Sequence, residues 1–522
     1  MQITANIVDV LNERIFHGTV TVEDGKIEEI EPLAAPQPSL PYLLPGLVDS
    51  HIHIESTLLL PEQYAPRAMR HGVLAAVCDP HEIANVLGME GVDYMIESGR
   101  KTTFHFLWMA PSCVPSTPFE TAGATIDAQG VAALLDRDEV GGLAEMMNVP
   151  GVLGGDPEVQ AKIDYCKRLG KPIDGHAPAL TGEDAKRYCG MGITTDHECV
   201  SVAIAEERIA MGMKILIREG SASCDFESLA PLLGKYRTML MLCSDDMYAD
   251  DFEQGYIDAM VRRALAKGYP LWNVLRAASI TPVLHYNLHM GLLRKGDNAD
   301  FILVDNLSDF NVLASYIEGN MCRCADSQPA LPNNFHAQPI TPEVLVREAE
   351  GRVKVMVASE GSLYTRCELS EFTPEVNKLV VINRYEPHAQ PAVAFIKGFH
   401  LRQGAMASTI AHDSHNIIAV GADNQSIALA INTLIEHKGG IAVTDGSTVD
   451  CLPLPIAGLM SPLSCEEVGI VHKRLRAKAQ ALGCPFSAPF MTLAFMALPV
   501  IPELKLTDKG LFDANKFEFT AL

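Results

Sequence analysis

The chain has 522 residues, of which 48% are hydrophobic and 6% aromatic, enough apolar material for two or three ordered domains and too much for a disordered chain. Its formal net charge of −24 is spread along the sequence and argues against nucleic acid as a partner, since phosphate binding needs a basic footprint. No basic segment leads into an apolar one at the start, no apolar run reaches membrane-spanning length, and the thirteen cysteines are scattered with no C-x-x-C pair; the expected setting is the reducing cytoplasm, with no membrane partner.

Residues 1–45 alternate polar and apolar, as in Ile7-Val8-Asp9-Val10 and Gly18-Thr19-Val20-Thr21-Val22, with a turn at Asp24-Gly25. This spacing predicts a small β-meander. From residue 46 to 285 the rhythm changes to short apolar runs separated by helical patterns. The candidate strands are Gly46 to Ser50, Leu74 to Cys78, Phe104 to Met109, Gly141 to Ala144, Pro172 to Asp174, Ile193 to Thr195, Lys214 to Arg218 and Met239 to Cys243. Eight parallel strands with helices between them predict a TIM-type (β/α)8 barrel. A doubly wound open sheet is the alternative, but no G-x-G-x-x-G follows the first strand. Strand patterns return at Ala299 to Asp305, so residues 1–45 and 286–325 are expected to form one composite β-subdomain flanking the barrel. Residues 325–345 carry Pro329, Pro332, Pro339 and Pro342 and read as a linker; residues 346–522 read as a C-terminal α/β domain.

Catalytic residues of such barrels sit at the C-terminal ends of the strands. After the first strand come His51 and His53, whose i, i+2 spacing puts both side chains on one face. Asp79, His81 and Glu82 follow the second strand, Glu145 the fourth, His176 the fifth, His197 and Glu198 the sixth, and Asp245 and Asp246 the eighth. Any one of these could be a satisfied polar residue at a barrel rim. Together, four histidines and two carboxylates suit two adjacent sites for borderline divalent cations with a bridging carboxylate. The Asp79-Pro80-His81-Glu82 group reads either as an accessory metal site or outer layer, or as a helix start, where acidic residues are favoured. His285 and His289 lack the glutamate of an H-E-x-x-H helix and read as ordinary helix-surface or packing residues.

The runs Pro45-Gly46-Leu47-Val48-Asp49-Ser50-His51-Ile52-His53-Ile54-Glu55-Ser56 and Asp79-Pro80-His81-Glu82-Ile83-Ala84-Asn85, with Ala144-Glu145-Met146-Met147-Asn148 and His176-Ala177-Pro178, resemble the amidohydrolase superfamily and, within it, the bacterial adenine deaminase family. The resemblance continues through Ala411-His412-Asp413-Ser414-His415-Asn416 and Leu452-Pro453-Leu454-Pro455, so it covers nearly the whole chain. One departure is that the chain starts almost directly at its first strand. The resemblance implies hydrolytic deamination of adenine to hypoxanthine and ammonia, a step of purine salvage. It implies two divalent transition metals, manganese or iron or else zinc. His51, His53 and Asp245 would hold one, His176 and His197 the other, and Glu145 would bridge them. Asp245 would move the proton toward the departing amine, with Glu198 as the ring contact and Glu55 and Glu82 behind it. The C-terminal stretch holding Asp413 and His415 would reach over the barrel mouth and touch the substrate. A homo-oligomer, a dimer, is the expected assembly. Two other functions stay open: the same chemistry on another aminopurine or a cyclic amide, of which Glu145 in place of lysine on strand four argues against the usual cyclic-amide hydrolases, and a catalytically silent binding paralogue, which should have lost a ligand.

Overall fold

The computed structural model describes residues 1–321, 329–347, 351–371, 373 and 375–522. The 322–325 end of the expected β-subdomain, the 325–328 start of the expected linker, and residues 348–350, 372 and 374 of the C-terminal region lie outside them.

Eight short parallel strands form the barrel: Leu47–Ile52, Val73–Cys78, His105–Ala110, Val140–Met146, Ile173–Gly175, Thr195–Asp196, Lys214–Arg218 and Leu240–Cys243. Their apolar runs are buried on both faces, as parallel strands covered by helices must be. The first five strands pair in sequence order, and so do the last three. Backbone hydrogen bonds close the ring at both seams. Thr194 N–H donates to Ile173 O (2.9 Å) between strands five and six; Asp245 N–H donates to His51 O (2.9 Å) and His53 N–H to Asp245 O (3.2 Å) between strands eight and one. Strands five and six are the shortest, and the sixth begins two residues later than its apolar run suggests. The register pairs Thr195 and Asp196 with Lys214 and Ile215.

Strands Gln2–Asp9, Arg14–Glu23, Lys26–Ala34 and Tyr42–Pro45 join Phe301–Val304 and Val312–Tyr316 in one six-stranded sheet. Chain entering and chain leaving the barrel therefore share a sheet with its own small core, which includes Ile7, Val20, Leu43 and Phe301.

The C-terminal region is strand-rich. An eight-stranded sheet runs from Ser362–Glu371 at one edge to Val449–Pro453 at the other, and helix Asn424–His437 packs on one face of it. Leu379, Met406 and Val443 on the other face belong to the same buried cluster as Leu47 and Val77 of the barrel, so one core runs across both regions. Helix Cys465–Ala481 adds polar ties: His472 Nδ1 lies 2.8 Å from Asp250 Oδ1, and Arg476 pairs with Asp250 and Asp251. Among the described residues no helix is long and apolar enough to cross a membrane.

Candidate metal centre

The strand ends converge at one mouth of the barrel. Gly175 lets strands five and six come together there: a Cβ on it would lie 2.4 Å from Thr195 O. That approach sets the His176 and His197 imidazoles side by side, with Nδ1 of the first 3.4 Å from Nε2 of the second. Asp245 has φ +59°, a left-handed conformation uncommon outside glycine and best tolerated by Asp and Asn. Its backbone is held there by the bonds to His51 and His53 that close the barrel.

Glu145 lies at the centre. Its Oε1 is 3.2 Å from His53 Nε2 and 3.9 Å from His51 Nε2, while its Oε2 is 2.8 Å from His176 Nδ1 and 3.2 Å from His197 Nε2. One carboxylate thus faces two histidine pairs, one with each oxygen. Asp245 Oδ1 adds to the first pair, 3.2 Å from His53 Nε2 and 3.5 Å from His51 Nε2. All six residues are buried, yet among the described residues His51 Nε2, His176 Nε2 and Glu145 Oε2 have no partner in hydrogen-bond geometry. Orphaned buried donors and acceptors are costly, and a nitrogen and oxygen set of this composition fits divalent cations. This cluster of His, Asp and Glu could therefore hold metal. His53 Nδ1 faces the Asp79 carbonyl at 3.1 Å, which leaves Nε2 pointing to the cluster.

The electrostatics separate two adjacent aspartates. Burial works to raise Glu145 and Asp245, but the neighbouring imidazoles, joined at Asp245 by Arg218, outweigh it and hold both carboxyls well below the usual range. Asp246 is raised instead, by burial and by the charge of Asp245; it accepts a hydrogen bond from Ser56 Oγ at 2.5 Å.

Arg218 is the residue that sequence reasoning missed. It ends strand seven, is 3% exposed, and its Nη1 donates both to Asp245 Oδ2 (2.7 Å) and to Glu198 Oε1. Burial works to raise Glu198, but Arg218, His176 and His197 bring its carboxyl below the ordinary range. Glu198 Oε1 also sits 3.4 Å from His197 Nε2. The available signal was a lone charge closing the apolar run Ile215-Leu216-Ile217-Arg218.

The group after strand two divides. Asp79 Oδ2 lies 2.9 Å from His81 Nδ1, and that nitrogen is 3.6 Å from Glu145 Oε1, so this pair backs the cluster. Glu82 turns to the C-terminal region, 2.7 Å from His412 Nδ1 and in contact with His415 Nε2. Glu55 accepts the Ile83 N–H at 3.1 Å and sits under helix His81–Leu87; burial, with Glu82 nearby, pushes its carboxyl up to about 7. The cavity above the cluster is lined by His53, His81, Glu82, Glu198, Arg218 and Asp246 from the barrel, and Leu363, His412, Asp413, Phe495, Leu498 and Ile501 from the C-terminal region. Asp413 thus faces the cavity as expected, whereas Glu55 and His415 stand behind its wall. The His412 ring stacks on Phe495, with centroids 4.6 Å apart and planes 14° from parallel.

Residues 42–322 match the amidohydrolase family, and residues 353–518 match the adenine deaminase C-terminal domain. The adenine deaminase of Salinibacter ruber (strain DSM 13855 / M31) is 48% identical over 99% of this chain and 98% of its own length. That of Parabacteroides distasonis (strain ATCC 8503) is 45% identical over 100% and 98%. That of Sulfurovum sp. (strain NBC37-1) is 47% identical over 99% of both.

Proposed function

The chain belongs to the adenine deaminase family of amidohydrolases, and from that premise we propose how its cavity converts adenine and water into hypoxanthine and ammonia. The observation that carries the proposal is Glu145, with one oxygen toward His51 and His53 and the other toward His176 and His197. His51, His53 and Asp245 would hold one divalent metal and His176 and His197 a second, with Glu145 between them; manganese or iron suits the donors, as does zinc. Two cations there would make a water acidic enough to lose a proton near neutral pH.

The residues of the chain divide the remaining work. Glu198 is held as a carboxylate by Arg218 and the two imidazoles, so it takes the first proton of the attacking water and hands it to a ring nitrogen beside C6. That transfer relieves the negative charge that builds in the ring as the oxygen bonds to C6. Asp245 takes the second proton and passes it to the amino group, which leaves as ammonia while the C–N bond breaks. Both water protons are then accounted for, one on hypoxanthine and one on ammonia. Environments that push two neighbouring carboxyls apart mark which one accepts a proton, and they favour Asp245 over Asp246. Asp79 and His81 orient the inner donors, and Asp413 contacts the substrate from the C-terminal side. The apolar Leu363, Phe495, Leu498 and Ile501 exclude water and strengthen each charge interaction.

Titrating metal-stripped protein with manganese tests this reading. Deaminase activity is expected to saturate at about two bound ions per chain, by the two-metal logic. Full activity at about one ion would remove Glu145 from its bridging place.

A further inference from the structure

Glu82 belongs to the barrel, in the helix that follows strand two, while His412 and His415 belong to a loop of the C-terminal region. Their donor atoms lie within 4.8 Å of one another, and all three side chains are buried, with His415 fully so. Glu82 Oε1 faces His412 Nδ1 at 2.7 Å, and Glu82 Oε2 faces His415 Nε2. A hydrogen-bonded Glu–His pair would account for the first contact. It does not account for the second, where Glu82 Oε2 and His415 Nε2 press together outside hydrogen-bond geometry, nor for His415 Nδ1 and Asp413 Oδ2, which have no hydrogen-bond partner among the described residues. Buried polar atoms are rarely left so, and a crowded carboxylate–imidazole contact beside an unpartnered imidazole nitrogen and carboxylate oxygen makes a donor group for something else.

The charge of the surroundings points the same way. Glu82, Asp246 and Asp413 line this part of the cavity, and among the described residues the lining holds one permanent cation, Arg218, which is engaged with Glu198 and Asp245. The wall is therefore rich in carboxylate and imidazole and poor in fixed positive charge. Two imidazole nitrogens and a carboxylate are a donor set that borderline divalent transition metals take in proteins.

We propose that Glu82, His412 and His415 form a third metal site, separate from the pair around Glu145, which fastens the C-terminal region to the barrel beside the cavity. The cation would be of the class that suits the main site, manganese, iron or zinc. Its place between two regions makes its role one of docking: with it bound, the loop that carries Asp413 and stacks His412 on Phe495 is fixed over the cavity.

The proposal goes beyond the deaminase reading, and its test keeps the two apart. Full-length protein is loaded with manganese, crystallised, and its anomalous scattering measured at the manganese edge, with metal content measured in parallel on the same protein. The expected result is a peak among Glu82, His412 and His415 in addition to density around Glu145, and about three ions per chain. His415→Gln and Glu82→Gln should each lose about one ion and the corresponding peak, keep the ions around Glu145, and leave the C-terminal region more open to protease. A wild-type protein with density only around Glu145 and about two ions would overturn the third site, and would leave the main-site reading standing whether or not the variants fold.

Discussion

The barrel and the C-terminal region build one cavity by different means. The barrel supplies charged and metal-type donors from the ends of regular strands, where position along the chain dictates which way a side chain points. The C-terminal region supplies an apolar wall, Leu363, Phe495, Leu498 and Ile501, and one polar loop, His412 to His415. The difference is one of division of labour. Reactive groups sit on the rigid element, held in geometry by neighbours such as the Asp79 carbonyl on His53, and the part that shapes and closes the pocket is brought in from elsewhere. Changes on the barrel side should therefore reach kcat, and changes on the other side KM.

The largest effect is expected at Asp245. Asp245→Asn removes the carboxylate proposed as proton acceptor and metal donor while leaving volume unchanged, and should lower kcat by about a thousandfold or more without shifting the thermal midpoint downward. If Asp246→Asn carries that loss and Asp245→Asn does not, the roles of the two aspartates are reversed.

Arg218→Met comes next. It leaves Glu198 and Asp245 facing each other without the guanidinium that both engage. About 100-fold in kcat, close to 3 kcal/mol, is expected to be lost. The acidic limb of the pH–rate profile should move to higher pH as both carboxyls become easier to protonate. A loss confined to KM, with the profile unmoved, would make Arg218 a substrate anchor instead.

On the C-terminal side, Phe495→Ala should raise KM for adenine by about tenfold, near 1.4 kcal/mol, and change kcat little, because the ring that stacks on His412 shapes the pocket and moves no proton. A kcat loss as deep as that of Arg218→Met would erase the distinction between the two sides.

The smallest effect on activity is expected away from the mouth. His285 packs against Thr194 at the strand five–six seam, and burial, then Lys214, pushes its imidazole down to about 4. Below its unfolded value near 6.5 the unfolded chain binds a proton that the folded chain refuses. Its contribution to stability is thus present above pH 6.5 and lost as the pH falls toward 4. His285→Gln should flatten the fall in unfolding free energy across that window by about 2 kcal/mol, allowing for partial exposure, and leave kcat at neutral pH unchanged. An unchanged slope would mean that other groups govern the acid limb.

Much of the barrel side was legible because strands have a fixed period and barrels place chemistry at one end of them. His51, His53, Glu145, His176, His197 and Asp245 each follow an apolar run, and the fold brings all six to one point. Arg218 was not legible, since an arginine at a strand end is usually exposed, and only the partners that it meets from strands six and eight mark it. The apolar wall was hidden for a different reason: nothing in the sequence around Phe495 or Leu363 says which of many buried apolar residues borders a cavity. The same holds for His415 and Glu55. Residue type and neighbourhood place them near the site, but orientation behind the wall is set by tertiary contacts to Glu82 and Ile83.

The most direct measurement of the account is the fate of adenine itself. Metal-loaded full-length protein is given adenine or adenosine, and ammonia and the purine product are followed together. The account predicts equimolar ammonia and hypoxanthine from adenine, with adenosine a poor substrate because the side chains that the C-terminal region sets over the cavity would crowd a ribose. Adenine left intact, or adenosine deaminated as readily as adenine, would contradict it.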